Sequence, residues 1–222
     1  MRVLTWNLFH GRSVPDTRRS LLPEFSAALA GWDWDVALLQ EVPPWWPREL
    51  ARACGADERS VLTSRNALLP LRRAAAQRRP DLIKSNGGGA NAILVRGRSI
   101  EAHASLRLRV WPERRVVHAV RLGDAWVGNV HASTHPEDRI RADHARAAAF
   151  LARLAGDAPA LLGGDLNLPD PRVEGFADAG GHRIDRLLLR GAWTVAGRAD
   201  TLDRRGLSDH LPVAIEVVGS GA

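Results

Sequence analysis

The sequence from Leu207 to Pro212 reads Leu-Ser-Asp-His-Leu-Pro and stands directly before an apolar run, Val213 to Val218, that predicts a strand. A second stretch, Gly163 to Asn167, reads Gly-Gly-Asp-Leu-Asn and ends another apolar run. Polar side chains at the ends of buried strands lie at the rim of a sheet, on a rigid scaffold. The two stretches therefore predict a polar site at a sheet rim that contains Asp165, Asn167, Asp209 and His210.

Other predicted strands end in the same way. Asn7, Glu41 and His131 each come directly after an apolar run. Taken singly, such residues more often belong to a turn or to an exposed rim. Their joint occurrence favours a functional site.

The residue types suit the hydrolysis of phosphate esters. Mg²⁺ prefers hard oxygen ligands and needs only one or two carboxylates, which Glu41 and Asp209, with the amide oxygen of Asn7, can supply. No Cys/His cluster has zinc spacing, so a zinc site is disfavoured. His210 is suited to take a proton from the attacking water, and Asp185 to fix the tautomer of that imidazole.

The predicted elements mix hairpins with helical crossovers. The strands are Val3–Leu8, Asp35–Gln40, Asn91–Val95, Arg115–Leu122, Ala125–His131, Pro159–Gly163, Ile184–Leu189 and Val213–Val218; the helices are Asp16–Ala30, Glu49–Ala53 and Asp138–Leu154. Two mixed sheets packed face to face, with helices outside, satisfy this order. A single doubly wound sheet is the competing architecture, but the hairpins count against it. The stretch Arg65–Ser85 predicts a loop with a broken helix.

Length and composition favour one globular domain. A chain of 222 residues can bury a continuous core, and we expect a single catalytic domain over residues 1–222. Its one cysteine, Cys54, excludes an intramolecular disulfide and fits a reducing compartment. Neither a secretory signal nor an apolar run long enough for a bilayer is visible, so we expect a cytoplasmic protein.

The charge balance allows two interpretations. The formal net charge is +6, and Lys84 is the one lysine among 31 lysine and arginine residues. Arginine binds phosphates in a bidentate manner, which would suit a nucleic acid or another phosphorylated partner. A genome that favours arginine codons would give the same composition.

Six segments, taken together, resemble the endonuclease/exonuclease/phosphatase superfamily of DNase I-like and exonuclease III-like enzymes, sphingomyelinases and inositol-polyphosphate phosphatases. They occur in the family's order and span nearly the whole chain: Thr5–Asn7, Leu39–Val42, Gly128–His131, Gly163–Asn167, Ile184–Asp185 and Leu207–Pro212. The resemblance implies an α/β fold of the DNase I-like type, a four-layer α/β sandwich of two packed mixed β-sheets flanked by helices. It also implies an active site at one rim.

The resemblance also assigns roles. Glu41 is similar to the main Mg²⁺ ligand, with Asn7 and Asp209 close to it; Mn²⁺ is the alternative ion. His210 resembles the general base and Asp185 its orienting partner. Asp165 and Asn167 resemble the pair that positions the water, the phosphate or a second metal, and His131 resembles the histidine that binds the scissile phosphate.

Two further residues are assigned to substrate binding, each with a plain alternative. In some relatives an arginine at the position of Arg115 contacts phosphate, although it also suits a solvated charge at a strand start. Asn91 matches a family pattern of Gly-Asn-Ala-Ile-Leu, with Ala90 where glycine is typical. It can line the site or cap a turn.

The sequence leaves three hypotheses about the function. The leading hypothesis is a Mg²⁺-dependent nuclease that cleaves phosphodiester bonds of DNA or RNA, acting as a monomer. The second is a phosphodiesterase or phosphatase on a small-molecule, inositol or lipid phosphoester, and the third a non-catalytic binding protein that kept the fold. The chain contains no tyrosine, whereas apurinic endonucleases of the family carry one in the pocket.

Overall fold

Two mixed β-sheets pack face to face in the computed structural model, which describes residues 1–63, 68–78 and 89–219. The first sheet has the order β11-β13-β1-β2-β4-β3, with β12 paired to β13. Its strands are β1 (Arg2–Asn7), β2 (Val36–Val42), β3 (Asp57–Thr63), β4 (Gly89–Val95), β11 (Trp193–Val195), β12 (Asp200–Thr201) and β13 (Val213–Gly219). The second has the order β5-β6-β7-β8-β10-β9. Its strands are β5 (Ala102–Arg109), β6 (Arg115–Leu122), β7 (Ala125–His131), β8 (Ala160–Asp165), β9 (Ala177–His182) and β10 (Asp185–Arg190).

Each sheet contains one parallel pair, and a helix makes each of those two crossovers. β1 pairs with β2 in parallel, and β7 pairs with β8 in parallel. Parallel neighbours need a crossover, whereas antiparallel neighbours can be joined by a hairpin. The helices are α1 (Leu22–Gly31), α2 (Pro47–Cys54), α3 (Leu69–Arg78) and α4 (Glu137–Ala155), with a 3₁₀ turn at Phe9–Gly11.

The apolar side chains form three main layers of core. Phe25 of α1 and Leu50 of α2 pack with Trp6 on the outer face of the first sheet. Leu38 and Leu187 belong to the layer between the two sheets. A third layer joins α4 to the outer face of the second sheet, through residues such as Leu151 and Leu162. This order of helix, sheet, sheet and helix confirms the predicted four-layer sandwich.

The strand register brings the polar strand ends to one rim. Asp165 of β8 is the direct neighbour of His131 on one side and of Asp185 on the other. In the first sheet, Asn7 is paired with Gln40, the residue before Glu41. Five residues that are far apart in the chain therefore meet at the same end of the two sheets.

The helix and strand limits differ from prediction in identifiable places. The first helix begins at Leu22 rather than Asp16, and Arg18, within the predicted span, has a φ of 55° that an α-helix does not accommodate. Strands β3, β5 and β9 were not predicted, nor were the short β11 and β12. Helix α3 occupies the middle of the ambiguous stretch Arg65–Ser85, of which residues 65–67 and 79–85 lie outside the described residues. In the ranges that the structure describes, no helix is both long and apolar enough to cross a membrane.

Candidate active site

A β-bulge places Glu41 at the rim. The pairing of β2 with β4 shifts register between Leu39 and Val42, and Glu41 has a φ of 50°. An amide from the opposite sheet stabilises this irregularity, because Nδ2 of Asn129 donates to the carbonyls of Leu39 and Ala92, at 2.9 Å each. Bulges of this kind re-aim a side chain at functional sites. Asn129 thus fixes the backbone that presents Glu41.

Four ionisable residues follow Glu41 in a continuous row. Nδ1 of His131 lies 3.9 Å from Oε1 of Glu41, and its Nε2 lies 3.5 Å from Oδ2 of Asp165. The same Asp165 oxygen lies 3.9 Å from Nε2 of His210. At the end of the row, Nδ1 of His210 donates to Oδ2 of Asp185 at 2.8 Å. The structure therefore brings together the residues predicted as metal ligand, phosphate ligand and general base.

The His210–Asp185 pair has the geometry of an oriented base. A carboxylate on Nδ1 holds the ring in one tautomer and leaves Nε2 for proton transfer. The turn before His210 is fixed by Ser208, whose hydroxyl donates to the carbonyl of Asn7 at 2.6 Å and accepts from the His210 N–H at 3.1 Å. Trp6 adds a hydrogen bond from its indole to the His210 carbonyl at 3.1 Å.

Asp165 lies at the centre of the row and is buried. Its Oδ2 accepts a hydrogen bond from Nδ2 of Asn7 at 3.0 Å, and its Oδ1 accepts one from the Asn167 N–H at 3.1 Å. The Asn167 side chain donates to the carbonyl of Ala132 at 3.1 Å. Gly164 is required beside it, since a Cβ there would lie 1.9 Å from the Val130 carbonyl oxygen.

Burial and mutual repulsion strongly shift the pKa values of the central groups. Burial, together with the charge of Asp185, raises the pKa of Asp165 to about 7. Burial alone would lower the pKa of His210, but the hydrogen bond and charge of Asp185 outweigh it and raise that pKa to about 9. Burial, then the charge of Arg115, lowers the pKa of His131, so this imidazole is neutral. Such opposed shifts in adjacent groups are typical of catalytic sites.

His10 also belongs to the site, although it is not among the residues predicted from the sequence. It donates from Nε2 to Oε2 of Glu41 at 3.0 Å. Burial opposes ionisation of Glu41, but this hydrogen bond from His10 prevails, so the pKa of Glu41 is lowered. The next residue, Gly11, has a φ of 75° and approaches Trp46 so closely that a Cβ would lie 2.3 Å from its ring. The Asn-x-x-His-Gly spacing directly after β1 is the sequence feature that could have indicated this position of His10.

The remaining predicted residues lie in different environments. Arg115 is buried and lines a cavity of about 110 Å³ together with Glu41 and His131. Asp209 is half-exposed, with Oδ1 3.9 Å from Nε2 of His210. Asn91 is fully buried and donates to the Val116 carbonyl at 3.3 Å, between the sheets rather than on the wall of that cavity.

The donor set at this rim fits a divalent cation. Glu41, Asp165 and Asp209 offer hard carboxylate oxygens, the ligands that Mg²⁺ and Mn²⁺ prefer. Ligand atoms of Asp165, Asp185 and His210 lie within 4.8 Å of one another. Asn7 turns its amide nitrogen toward Asp165 and its oxygen toward the Phe9 N–H, at 2.9 Å, so its role as a metal ligand stays a prediction.

Comparisons with known proteins agree with this fold. A sequence model of the Endonuclease/Exonuclease/phosphatase family matches residues 4–210. None of the curated proteins compared with the chain matches it. An endonuclease/exonuclease/phosphatase from Beutenbergia cavernae DSM 12333 has 20% identity and a TM-score of 0.71, covering 100% of this chain and 72% of its own.

Two further solved structures share the fold at low identity. The mannosyl-6-phosphatase of Bacteroides thetaiotaomicron VPI-5482 has 16% identity and a TM-score of 0.71, covering 98% of this chain and 99% of its own. TDP2 from C. elegans has 17% identity and a TM-score of 0.67, covering 99% of this chain and 75% of its own. Since the family match spans most of the residues, the chain belongs to the endonuclease/exonuclease/phosphatase family, whose members are phosphoric ester hydrolases and generally depend on a divalent metal ion.

Proposed function

We propose that the protein is a Mg²⁺-dependent hydrolase of phosphodiester bonds, and that its substrate is DNA or RNA. The observation that carries the proposal is the His210–Asp185 pair, whose hydrogen bond of 2.8 Å orients the imidazole over Asp165. Glu41 lies at the other end of the same row, next to His131. A base and a hard-oxygen metal site on either side of a buried carboxylate suit attack of water on a phosphoester.

Each residue of the row has a role in this mechanism. His210 takes the proton of the attacking water at Nε2, and Asp185 holds the opposite nitrogen. His131 and Arg115 bind the non-bridging oxygens of the scissile phosphate, since both line the cavity beside Glu41. Asp165 and Asn167 orient the water. Glu41 would hold the metal ion, with Asn7 and Asp209 as the further candidate ligands. When bound, the ion would neutralise phosphate charge and favour the deprotonated forms of the water and of His210.

The net charge of the chain and the size of the cavity beside His210 favour a nuclease. The net charge of +6 favours a polyanion, and the His210 side of the site opens into a cavity of about 430 Å³. A phosphatase acting on a small molecule is the second candidate. It is supported by the mannosyl-6-phosphatase neighbour, which matches this chain over nearly the full length of both proteins.

A panel of phosphoesters tests the proposal. Plasmid, single strands, RNA, abasic duplex and small phosphodiesters and monoesters should be compared with Mg²⁺, with Mn²⁺ and with a chelator. Cleavage of polynucleotide that falls steeply with added salt supports the nuclease. Salt-independent activity on small esters alone would support the phosphatase, and hydrolysis of nothing in the panel would favour a binding protein.

Two variants connect the activity to the site. His210→Ala and Glu41→Ala should each lower kcat by at least roughly 1,000-fold, because each removes a group needed in the transition state. His135→Ala and Glu174→Ala, at exposed positions, are the matched controls. Circular dichroism should show all four variants folded. The single domain, the monomeric state and the cytoplasmic location stay predictions, which sedimentation and fractionation would test.

A further inference from the structure

A second cavity opens beside the His210–Asp185 pair. It has a volume of about 430 Å³, against about 110 Å³ for the cavity that Glu41 and His131 line. Pockets that bind ligands measure roughly 300–1,000 Å³, so only the larger of these two has room for more than a small group. A substrate whose scissile phosphate lies over the row must therefore extend toward His210.

The wall of this larger cavity carries two arginines, each from a segment that supplies one member of the pair. Arg183 is exposed in the turn between β9 and β10, just before Asp185. Arg204 lies in the loop before β13, which also carries His210. Nη1 of Arg204 donates to the Ser208 carbonyl at 2.7 Å, so its guanidinium is attached to the same turn that fixes the histidine.

Neither arginine is neutralised by the protein. Among the residues that the structure describes, no carboxylate lies within 4.0 Å of the guanidinium of Arg183 or Arg204. Arg186, on the adjoining strand, shows the contrast, because it is paired with Asp178. The Asp209 carboxylate also faces the cavity, but it lies next to His210. Two unpaired guanidinium groups at one cavity fit a phosphate, which accepts their bidentate hydrogen bonds.

We propose that this cavity is a subsite for a second phosphate, on the nucleotide next to the scissile bond, and that Arg183 and Arg204 bind it. The proposal rests on the proposed nuclease function and narrows its substrate class. The enzyme would select chains or nucleotides with consecutive phosphates over esters that carry one phosphate only.

Matched dinucleotides test the subsite. One set carries a terminal phosphate at the 5′ or the 3′ end, and the other set lacks it. The wild type should cleave one phosphorylated form with a kcat/KM about 10- to 100-fold higher than the unphosphorylated form, the gain expected from charge-assisted hydrogen bonds to one phosphate. Arg183→Ala should lower this preference at least about fivefold. Arg205→Ala, an exposed neighbour of Arg204 that does not line the cavity, should keep the preference.

A preference retained in Arg183→Ala, or its absence from the wild type, would overturn the subsite while leaving the nuclease intact. If the wild type cleaves neither these dinucleotides nor the polynucleotides of the panel, the nuclease proposal fails, and calorimetry with Mg²⁺ then decides the subsite separately. Tighter binding of a nucleoside 3′,5′-bisphosphate than of the 5′-monophosphate, lost in Arg183→Ala, would support it. Equal binding of both ligands would overturn it. Arg204→Lys is a second test of the phosphate preference. It keeps the positive charge but loses the planar guanidinium group that binds phosphate in a bidentate manner.

Discussion

Nδ2 of Asn7 lies 3.0 Å from Oδ2 of Asp165, and this hydrogen bond joins the first sheet to the second at the floor of the candidate site. The same amide hydrogen-bonds Glu41 and helps to keep that carboxylate ionised. One neutral donor thus stabilises two carboxylates that come from different sheets. It does so without adding charge to a site that is already crowded with charged groups.

Asn7→Asp tests this role with almost no change in shape. The new carboxylate would repel Asp165 and Glu41, so the pKa of Asp165 should rise further. The site should also bind its substrate less well. We expect kcat/KM to fall by roughly 100-fold or more. Steady-state kinetics measure this, with Asp33→Asn, a charge change at an exposed position, as the control. Wild-type kinetics in Asn7→Asp would contradict the role.

The His210–Asp185 pair predicts a displaced pH profile. As a base His210 acts in its neutral form, so the rate should rise with pH through the histidine's pKa, which Asp185 holds high. Asp185→Asn removes that charge, lowers the pKa of His210 and should move the acidic limb of kcat/KM to lower pH. The maximal rate should fall about 100- to 10,000-fold, because the tautomer is no longer fixed. An acidic limb that stays in place would exclude His210 as its origin, and Asp170→Asn serves as the exposed control.

Asn129 is predicted to position Glu41 rather than to act chemically. Asn129→Leu would leave the bulge carbonyls of Leu39 and Ala92 without this donor, and should cost about 3 kcal/mol of unfolding free energy. Metal-dependent activity should fall as well, since Glu41 loses its fixed backbone. Val127→Ala, on the same strand, should lower stability by about 2 kcal/mol through lost packing while keeping activity. Urea titration and kinetics at a temperature where both variants are folded separate the two effects.

A buried histidine that is not part of the row predicts how stability depends on pH. Burial, with a smaller effect of the His103 charge, lowers the pKa of His118 to about 3. The unfolded chain therefore binds this proton near pH 6.5 and the folded chain does not, so stability is lost as pH falls from about 6.5 toward 3. His118→Leu should reduce that slope by about 1.4 kcal/mol per pH unit. Urea titrations at pH 6, 5 and 4 measure it, and an unchanged slope would show that His118 contributes nothing.

The interior of the fold could be predicted from sequence, and the sheet edges could not. β1, β2 and β8 are buried along almost their whole length, because both of their faces are covered. The unpredicted strands β3, β5, β9 and β11 lie at the four ends of the two sheets, and β12 lies off the main path. Edge strands are partly exposed, and β9 in particular has the sequence Ala-Asp-Ala-Gly-Gly-His, without an apolar face.

The site residues differ in the same way in how well they could be predicted. Polar residues that end buried strands, such as Asp165 and His131, could be predicted because the strand itself places them at the rim. His10 could not be distinguished from a surface histidine, because its position depends on a turn with positive φ at Phe9 and His10. The amide of Asn129 was also missed as a contact between the sheets, since sequence does not show which strands face each other.

Each sheet contributes one member of the proposed catalytic pair: Asp185 lies on β10 of the second sheet, and His210 precedes β13 of the first. A small sliding displacement of one sheet over the other would separate the two side chains while every strand kept its neighbours. Slippage between the layers, rather than melting of the strands, would then set the upper temperature at which the protein still turns over substrate. The catalytic rate would therefore report how firmly the two sheets pack against each other.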